Sequence, residues 1–399
     1  MENQPNSDSA QVVPNQTVPS TPLVSTPPPV STPPTVNPLP NPAANPVLPS
    51  DNPKPPKRKK LILVLLGLFF ILAIATVLIF LTQTKPENIP TTAKTTPKAT
   101  LQKIKVQLSW FNTAEFAGFY IAKDNGFFTD AGLDVELMEA VPPKAPAESL
   151  VSKTADFGVT GIDGILLATE QNQPMIALAA IYQQSPVTFI TLKDSGIEKP
   201  EDFIGKRITI ECGSNAEYPQ RAMLKKLDLA KKITENCSTY NIDMLLKNQT
   251  DVFAGFVTNE PILLELMGKQ INNILVLDYG INYYPNLIFT TKDRYLNDKE
   301  TVKKFISATL KGYEYALAHP QEAVDATMKR KSGLGKLDPI HQQRTMSVQS
   351  PLIFTGKTPL GFIEQEIWEQ GQDILLEQKI IKNKYDIKSV YTNEFIKTK

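Results

Sequence analysis

The 399-residue chain holds only two Cys and two His, at Cys212, Cys237, His319 and His341. Widely separated in sequence, they leave no ligand set for a zinc, haem or iron–sulfur centre, and no cofactor is expected. His319 precedes Pro320 at a helix end and His341 lies on a polar helical stretch, so both read as surface residues. Net charge is also nearly absent, with 42 basic against 41 acidic residues and a formal charge of +1. Five basic and three acidic residues fall in positions 1–60, which leaves −1 for the remainder and argues against a nucleic-acid partner. There is no G-x-x-x-x-G-K-[ST] phosphate loop, no G-x-S-x-G nucleophile elbow and no His-centred triad.

Proline is in excess and unevenly spread: 17 of 33 lie in the first 56 positions. A segment of Pro, Ser, Thr, Asn and Val with few aromatics cannot bury enough apolar surface to offset its ordering entropy, so residues 1–60 are expected to be a disordered tail. Residues 61–82 (LILVLLGLFFILAIATVLIFLT) then run 22 positions without a charge. That is ~33 Å of helix against a ~30 Å hydrocarbon core, and it reads as a transmembrane helix. Lys54, Lys57, Arg58, Lys59 and Lys60 flank its N-terminal side, so the positive-inside rule puts the tail in the cytoplasm and the rest outside a plasma membrane crossed once. A cleaved signal peptide fits less well, because the charged region is long and no A-x-A site follows; no Cys follows for lipid attachment. Residues 83–102 are polar and read as a flexible linker spanning ~25 Å root-mean-square.

Beyond the linker, strand-like and helix-like patterns alternate. Lys103 to Leu108 alternates as a strand, and Glu115 to Asn125 has helical spacing closed by Gly126. Further strands are expected at 133–138, 156–160 and 175–181, with helices near 146–153 and 163–171. The alternation restarts after Pro200, and residues 299–399 are almost wholly helical in pattern. This predicts parallel sheets with crossovers. The economical topology has lobe one at 103–186 and 286–399, lobe two at 187–285, and the last helices packed on lobe one. Two α/β lobes joined by two crossings form a hinged cleft.

The segments VQLSWFNTAEFAGFYIAKDNGFFTDAGLDVEL, KTADFGVTGIDGILLATEQNQPMIALAAIYQQSP and LKDSGIEKPEDFIGKRITIECGSNAEY carry a resemblance over about residues 103–380. In that order they resemble the substrate-binding proteins of ABC importers that recognise thiamine pyrimidine precursors, riboflavin, alkanesulfonates or nitrate. The resemblance implies a type II periplasmic-binding fold, capture of a small molecule by lobe closure, and a permease and ATPase as partners. A relative of this fold is an enzyme, the eukaryotic pyrimidine synthase, which uses a pyridoxal cofactor, a sacrificial His and a Cys-rich iron-binding motif. Here Glu115 and Phe116 occupy the first helix region and no His precedes His319, so a non-enzymatic receptor is expected.

Candidate ligand-binding residues follow from strand ends and from the resemblance. Trp110 ends the first strand, where an aromatic over the cleft stacks a flat ring or simply packs the lobe. Asn112 and Phe116 lie just beyond, Phe116 on a helix where core packing competes. Asp163 is either a helix N-cap or an acceptor for a ring amine. Gly213, Ser214 and Asn215 lead into a helix. There Ser214 with Glu217 fits an S-x-x-E capping box, and the same amides with Glu217 and Tyr218 fit a ligand wall. Tyr182 ends the strand entering the first crossing, Asn259 and Glu260 follow a lobe-two strand, and Tyr279 and Tyr283 sit where the chain returns. Aromatics with Glu217 and Asp163 suit a pyrimidine precursor bearing amino groups. Riboflavin fits nearly as well, whereas sulfonate or nitrate would favour basic residues; none is among these candidates, and the first segment offers only Lys123. Cys212 and Cys237, outside the membrane and at the ends of neighbouring strands, are a candidate disulfide, although parallel-strand geometry can hold such a pair apart.

Overall fold

A computed structural model describes residues 100–140, 145–238 and 241–397. The expected tail, transmembrane segment and nearly all of the linker lie outside the described residues. Gln102, assigned to the linker, is instead the first residue of a strand. Among the described residues no helix is long and apolar enough to cross a membrane.

The chain begins with β1 (Gln102–Gln107), α1 (Ala117–Asp124), α2 (Phe127–Asp130), β2 (Leu133–Met138), α3 (Pro146–Val151), β3 (Phe157–Thr160), α4 (Ile162–Glu170) and β4 (Met175–Ala180). It then builds β5 (Val187–Leu192), β6 (Arg207–Ile210), α5 (Glu217–Lys226), β7 (Thr234–Cys237), α6 (Asp243–Leu246), β8 (Val252–Phe256), α7 (Glu260–Leu266) and β9 (Ile271–Leu275). It returns through β10 (Leu287–Thr291) to α8 (Lys292–Asn297), α9 (Lys299–Ala318), α10 (Pro320–Met328), α11 (Pro339–Ile353) and α12 (Gln365–Glu377). Two five-stranded sheets result, ordered β2-β1-β3-β10-β4 and β7-β6-β8-β5-β9.

Hydrophobic patterning accounts for the layering. In β1, Ile104 and Val106 are buried and alternate with exposed Lys103 and Lys105. In β3 and β4 every residue is buried, as strands covered on both faces require. β7, with three of four residues exposed, is an edge strand.

The sheets are not parallel throughout, as the alternation suggested. β10 runs antiparallel to β3 and β4, and β5 runs antiparallel to β8 and β9. In each case the odd strand is one that has just crossed from the other sheet and so enters from the opposite end. The crossings run together: Ile181 N–H donates to Asn286 O at 2.9 Å, Ser185 N–H to Asn282 Oδ1 at 2.9 Å, and Asn282 Nδ2 to Gln183 O at 3.4 Å. A paired connection of this kind is where a two-lobe fold can flex.

The C-terminal helices were expected on lobe one alone. Instead α11 packs against α7 of lobe two, and α12 touches both α4 and α5. Residues 378–397 are mostly irregular rather than helical, and Tyr391 adds a bridge to Ala177 at the edge of the first sheet.

One close approach fixes α1 against α9. A Cβ on Gly312 would meet Ala122 Cβ at 2.7 Å and Ala122 N at 2.9 Å, and would collide with the Gly118 carbonyl. Because helix backbones cannot yield like a side-chain tip, Gly312→Val is expected to destabilise the protein by at least ~1–3 kcal/mol in chemical denaturation. A loss below ~0.5 kcal/mol would mean the helices separate freely.

Candidate functional site

The ends of four strands meet at one cavity of about 900 Å³ between the sheets. The carboxyl ends of β1 and β3 supply Ser109, Trp110, Thr160 and Asp163; those of β6 and β8 supply Glu211 to Asn215 and Thr258 to Glu260. Side chains beyond the carboxyl ends of parallel strands face the crevice, which is where ligands enter α/β folds. Asn286, at the start of β10, closes the floor, while His341 and Thr345 of α11 close one side.

The lining is acidic. Glu115, Glu148, Asp163, Glu211 and Glu260 face the cavity, and no Lys or Arg does so among the described residues. Burial drives the Glu115 carboxyl up to about 7, against which Asn286 Nδ2, its hydrogen-bond donor, acts only partly. Burial likewise raises Asp163 to about 6, opposed by the Tyr283 hydroxyl that donates to Oδ1 at 3.0 Å. Glu260 rises to about 7, again through burial, although the Phe256 N–H donates to Oε2 at 2.8 Å and Asn259 Nδ2 to Oε1 at 3.1 Å. Burial raises Glu211 as well. Neutral donors, with no cationic partner, hold Glu115, Asp163 and Glu260 in position. The Ser214 hydroxyl is buried with no hydrogen-bond partner among the described residues, a group that a ligand can satisfy.

The expected site residues divide. Trp110, Asp163, Gly213, Ser214, Asn215, Tyr218, Asn259 and Glu260 line the cavity. Trp110 is half-buried and stands edge-on to Phe111, with ring centroids 5.1 Å apart. Asp163 lies in the first turn of α4, whose cap is Gly161, so it is not the N-cap.

The other expected residues stand outside the lining. Phe116 is fully buried in the lobe-one core. Tyr182 is buried and donates to Gln349 Oε1 at 2.9 Å. Asn112 is used internally, its Nδ2 donating to Lys331 O and its Oδ1 accepting from the Tyr120 hydroxyl. Tyr283 acts from behind Asp163, and Tyr279 lies half-buried outside, its carbonyl accepting from Lys226 Nζ. Glu217 turns back from the cavity to the Gly213 N–H and to Arg221. Its partner is therefore Gly213 rather than Ser214, and the cap residue of α5 is Ala216, so the expected capping box does not form. Lys123 is exposed and donates to Val135 O at 2.7 Å.

His341, read as a surface residue, is buried in the lining. Its Nε2 lies 3.3 Å from Asn259 O and its Nδ1 3.1 Å from Gln342 Nε2, a pattern that suits the Nε2–H tautomer. Burial lowers its pKa. Glu115, Glu148, Glu211, Asn286 and His341 are among the lining residues that were missed. Glu211 carried a signal, a carboxylate directly after the apolar strand residues Ile208–Ile210, whereas the position of His341 depends on how α11 docks.

Cys212 and Cys237 are joined by a disulfide, with Cα atoms 5.3 Å apart. The parallel register pairs Ile210 with Cys237, and Cys212 comes back within reach two residues beyond β6. Closing this loop contributes about 3 kcal/mol in the chain-entropy model. The ligand atoms of Glu235 and the two cysteines cluster, but both sulfurs are used in the bond and Arg221 stands beside them. The cluster does not suit a cation.

With the fold and cleft defined, a family model described as NMT1/THI5 like matches residues 113–323. The chain belongs to the NMT1/THI5 like family. It is similar to the riboflavin-binding protein RibY of Chloroflexus aurantiacus, 25% identical over 84% of this chain and 98% of that one. It is 24% identical to the 4-amino-5-hydroxymethyl-2-methylpyrimidine phosphate synthase of Legionella pneumophila, over 74% of this chain and 92% of that one. It is 21% identical to the formylaminopyrimidine-binding protein of Halalkalibacterium halodurans, over 68% of this chain and 83% of that one. Among solved structures it resembles the periplasmic sulfonate-binding protein SsuA of Methylobacillus flagellatus, with TM-score 0.58 and 15% identity over 74% of this chain and 93% of that one. That likeness establishes the two-lobe periplasmic-binding fold for this member of the family.

The raised carboxyl values set a pH dependence. The folded protein holds more protons than the unfolded chain between the ordinary carboxylate value and about 7, so ligand-free stability falls as pH rises through that window. His341 opposes this, since its lowered value adds stability as pH rises towards 6.5. One imidazole faces three carboxyls, so the carboxyl slope dominates. The melting temperature without ligand is expected to be higher at about pH 5.5 than at about pH 7.5, and the difference to shrink in Glu115→Gln. A melting temperature that climbs over that interval would contradict the assignment.

Proposed function

We propose that this chain is the extracytoplasmic solute-binding protein of an ABC importer, capturing a small, flat, uncharged heterocycle that carries amino groups. Hydroxymethyl- or formylamino-pyrimidine precursors of thiamine are the first choice. The lobes divide at 186/187 and 285/286, the run 61–82 anchors the chain in the plasma membrane, and closure presents the ligand to a separate permease and its ATPase. Tethering raises the receptor's concentration near that permease.

The observation that carries the ligand class is the lining charge: five carboxyls and no Lys or Arg among the described residues. Sulfonate, nitrate and phosphate are recognised by basic side chains or free amides; the described lining offers no Lys or Arg to neutralise them, and any carboxyl that ionises there adds repulsion. A ring amine instead finds acceptors at Glu115, Asp163 and Glu260, with Trp110 as a stacking face. The similarity to a formylaminopyrimidine-binding protein supports this choice. A second reading, riboflavin, is supported by the cavity volume of about 900 Å³ and by the similarity to RibY.

The synthase name of one relative raises an enzymatic reading. A pyridoxal phosphate would need a lysine for its aldehyde and donors for its phosphate, and the described lining offers no lysine and an acidic surround. The residues do not fit that cofactor. Lys144, outside the described residues, falls between Ala140 and Ala145 in sequence and is the control for this point.

Calorimetry on the full chain in detergent tests the reading with hydroxymethyl-pyrimidine, formylamino-pyrimidine, riboflavin, the phosphate esters of the first and third, and taurine. Binding of an unphosphorylated heterocycle is expected, with its phosphate ester at least ~10-fold weaker in the protein and in Lys144→Ala alike. Trp110→Ala is expected to weaken binding by ~1–3 kcal/mol. Tighter binding of an ester or of taurine would overturn the ligand class.

A further inference from the structure

One wall of the cleft hangs on supports that face away from it. Cys212 to Asn215 line the cavity as an irregular loop between β6 and α5, and Gly213 there adopts φ +84°, a conformation that contributes no stiffness of its own. At its start the loop is bonded through Cys212 to Cys237 on β7. Arg221, one turn into α5, ties the same point together. Its guanidinium donates to Glu235 Oε1 at 2.6 and 3.1 Å, reaches Cys212 Sγ at 3.5 Å and pairs with Glu217, whose other oxygen accepts the Gly213 N–H. At its far end Asn215 Nδ2 donates to Pro285 O at 2.7 Å, on the crossing between lobes. Between these fixed ends lies the Ser214 hydroxyl, which has no hydrogen-bond partner among the described residues.

We propose that the Cys212–Cys237 disulfide and Arg221 form a positioning brace for the lobe-two wall, so that the redox state of this bond sets how tightly the cleft holds its ligand. The proposal rests on reading the cavity as the ligand site. Neither Arg221 nor Cys237 lines the cavity, so both act through the loop. Cys237 is exposed, which leaves the bond open to a reductant. A dithiol attacks one sulfur and then resolves the mixed disulfide, passing two electrons and two protons to the protein. Two protein thiols form and the reductant leaves as its cyclic disulfide. β6 and β7 are also paired by their backbones from Arg207 opposite Thr234 to Ile210 opposite Cys237, so the sheet is expected to persist while the loop loses its anchor.

The test uses the full chain in detergent, oxidised, dithiol-reduced and as Cys212→Ser/Cys237→Ser. Hydrogen exchange without ligand reads the loop directly, and binding kinetics use riboflavin and 4-amino-5-hydroxymethyl-2-methylpyrimidine as probes. Reduction or the double substitution is expected to speed exchange at Gly213 to Glu217 at least ~10-fold with β5 and β8 unchanged. It is also expected to raise the dissociation rate at least ~5-fold with little change in association. Arg221→Met is expected to give both effects, and Arg221→Lys, which keeps the charge, to restore part of each. Unchanged loop exchange on reduction would overturn the brace, as would exchange rising equally in β5 and β8 or a dissociation rate indifferent to the bond. Failure of both probes to bind the oxidised protein would overturn the ligand reading and leave the brace to the exchange arm alone.

Discussion

Three carboxyl groups desolvated around one cavity, with no Lys or Arg beside them among the described residues, are the constraint on which the site depends. Elsewhere in the molecule partly buried carboxylates are paired with guanidinium groups, as Asp251 is with Arg207 and Asp156 with Arg294. Around the cleft the donors are an amide at Asn286, a phenol at Tyr283 and a backbone N–H at Phe256. Such donors orient an oxygen and leave lone pairs open, so the cost of burial is left for an incoming N–H to offset.

The fold makes that arrangement possible. Glu115 and Asp163 come from strand ends of the first sheet, Glu211 and Glu260 from those of the second, and the sheets meet through two adjacent crossings laced by Asn282 and Asn286. α12 grips the crossing itself, with Gln370 Oε1 accepting the Asn282 N–H at 2.7 Å and Gln370 Nε2 donating to Gly280 O at 3.0 Å. On the opposite side α11 bridges the lobes through Thr345, whose hydroxyl donates to Thr258 O at 3.0 Å, and through His341. Motion about the crossings must therefore move or break the α11 contacts, which places His341 where the cavity, the second lobe and α11 meet.

Much of this was legible in the sequence, because strands and helices announce themselves through periods of two and of 3.6. The two α/β units, the strand ends at Trp110, Asp163 and Glu260, and the loop from Gly213 followed from that pattern. Strand direction did not, since a chain that crosses between sheets re-enters from the far end and local patterning carries no sign of it. Phe116, Tyr182 and Tyr283 were over-read for a related reason: an aromatic near a strand end fits core and cleft equally until the packing of α9 and α11 is known. His341 was under-read because a polar helix looks solvated unless its partner, here the Asn259 loop some 80 residues earlier, is placed against it. Glu217 shows the limit of motif matching, for its spacing from Ser214 suited a cap and its carboxylate serves Gly213 and Arg221 instead.

The most direct test of the central claim is a crystal structure of the protein with its ligand bound. A ring amine within about 3.2 Å of at least two of Glu115, Asp163 and Glu260, with the ring plane against Trp110, is the predicted result. An anionic group seated among these side chains, or a ligand held by basic residues elsewhere, would contradict it.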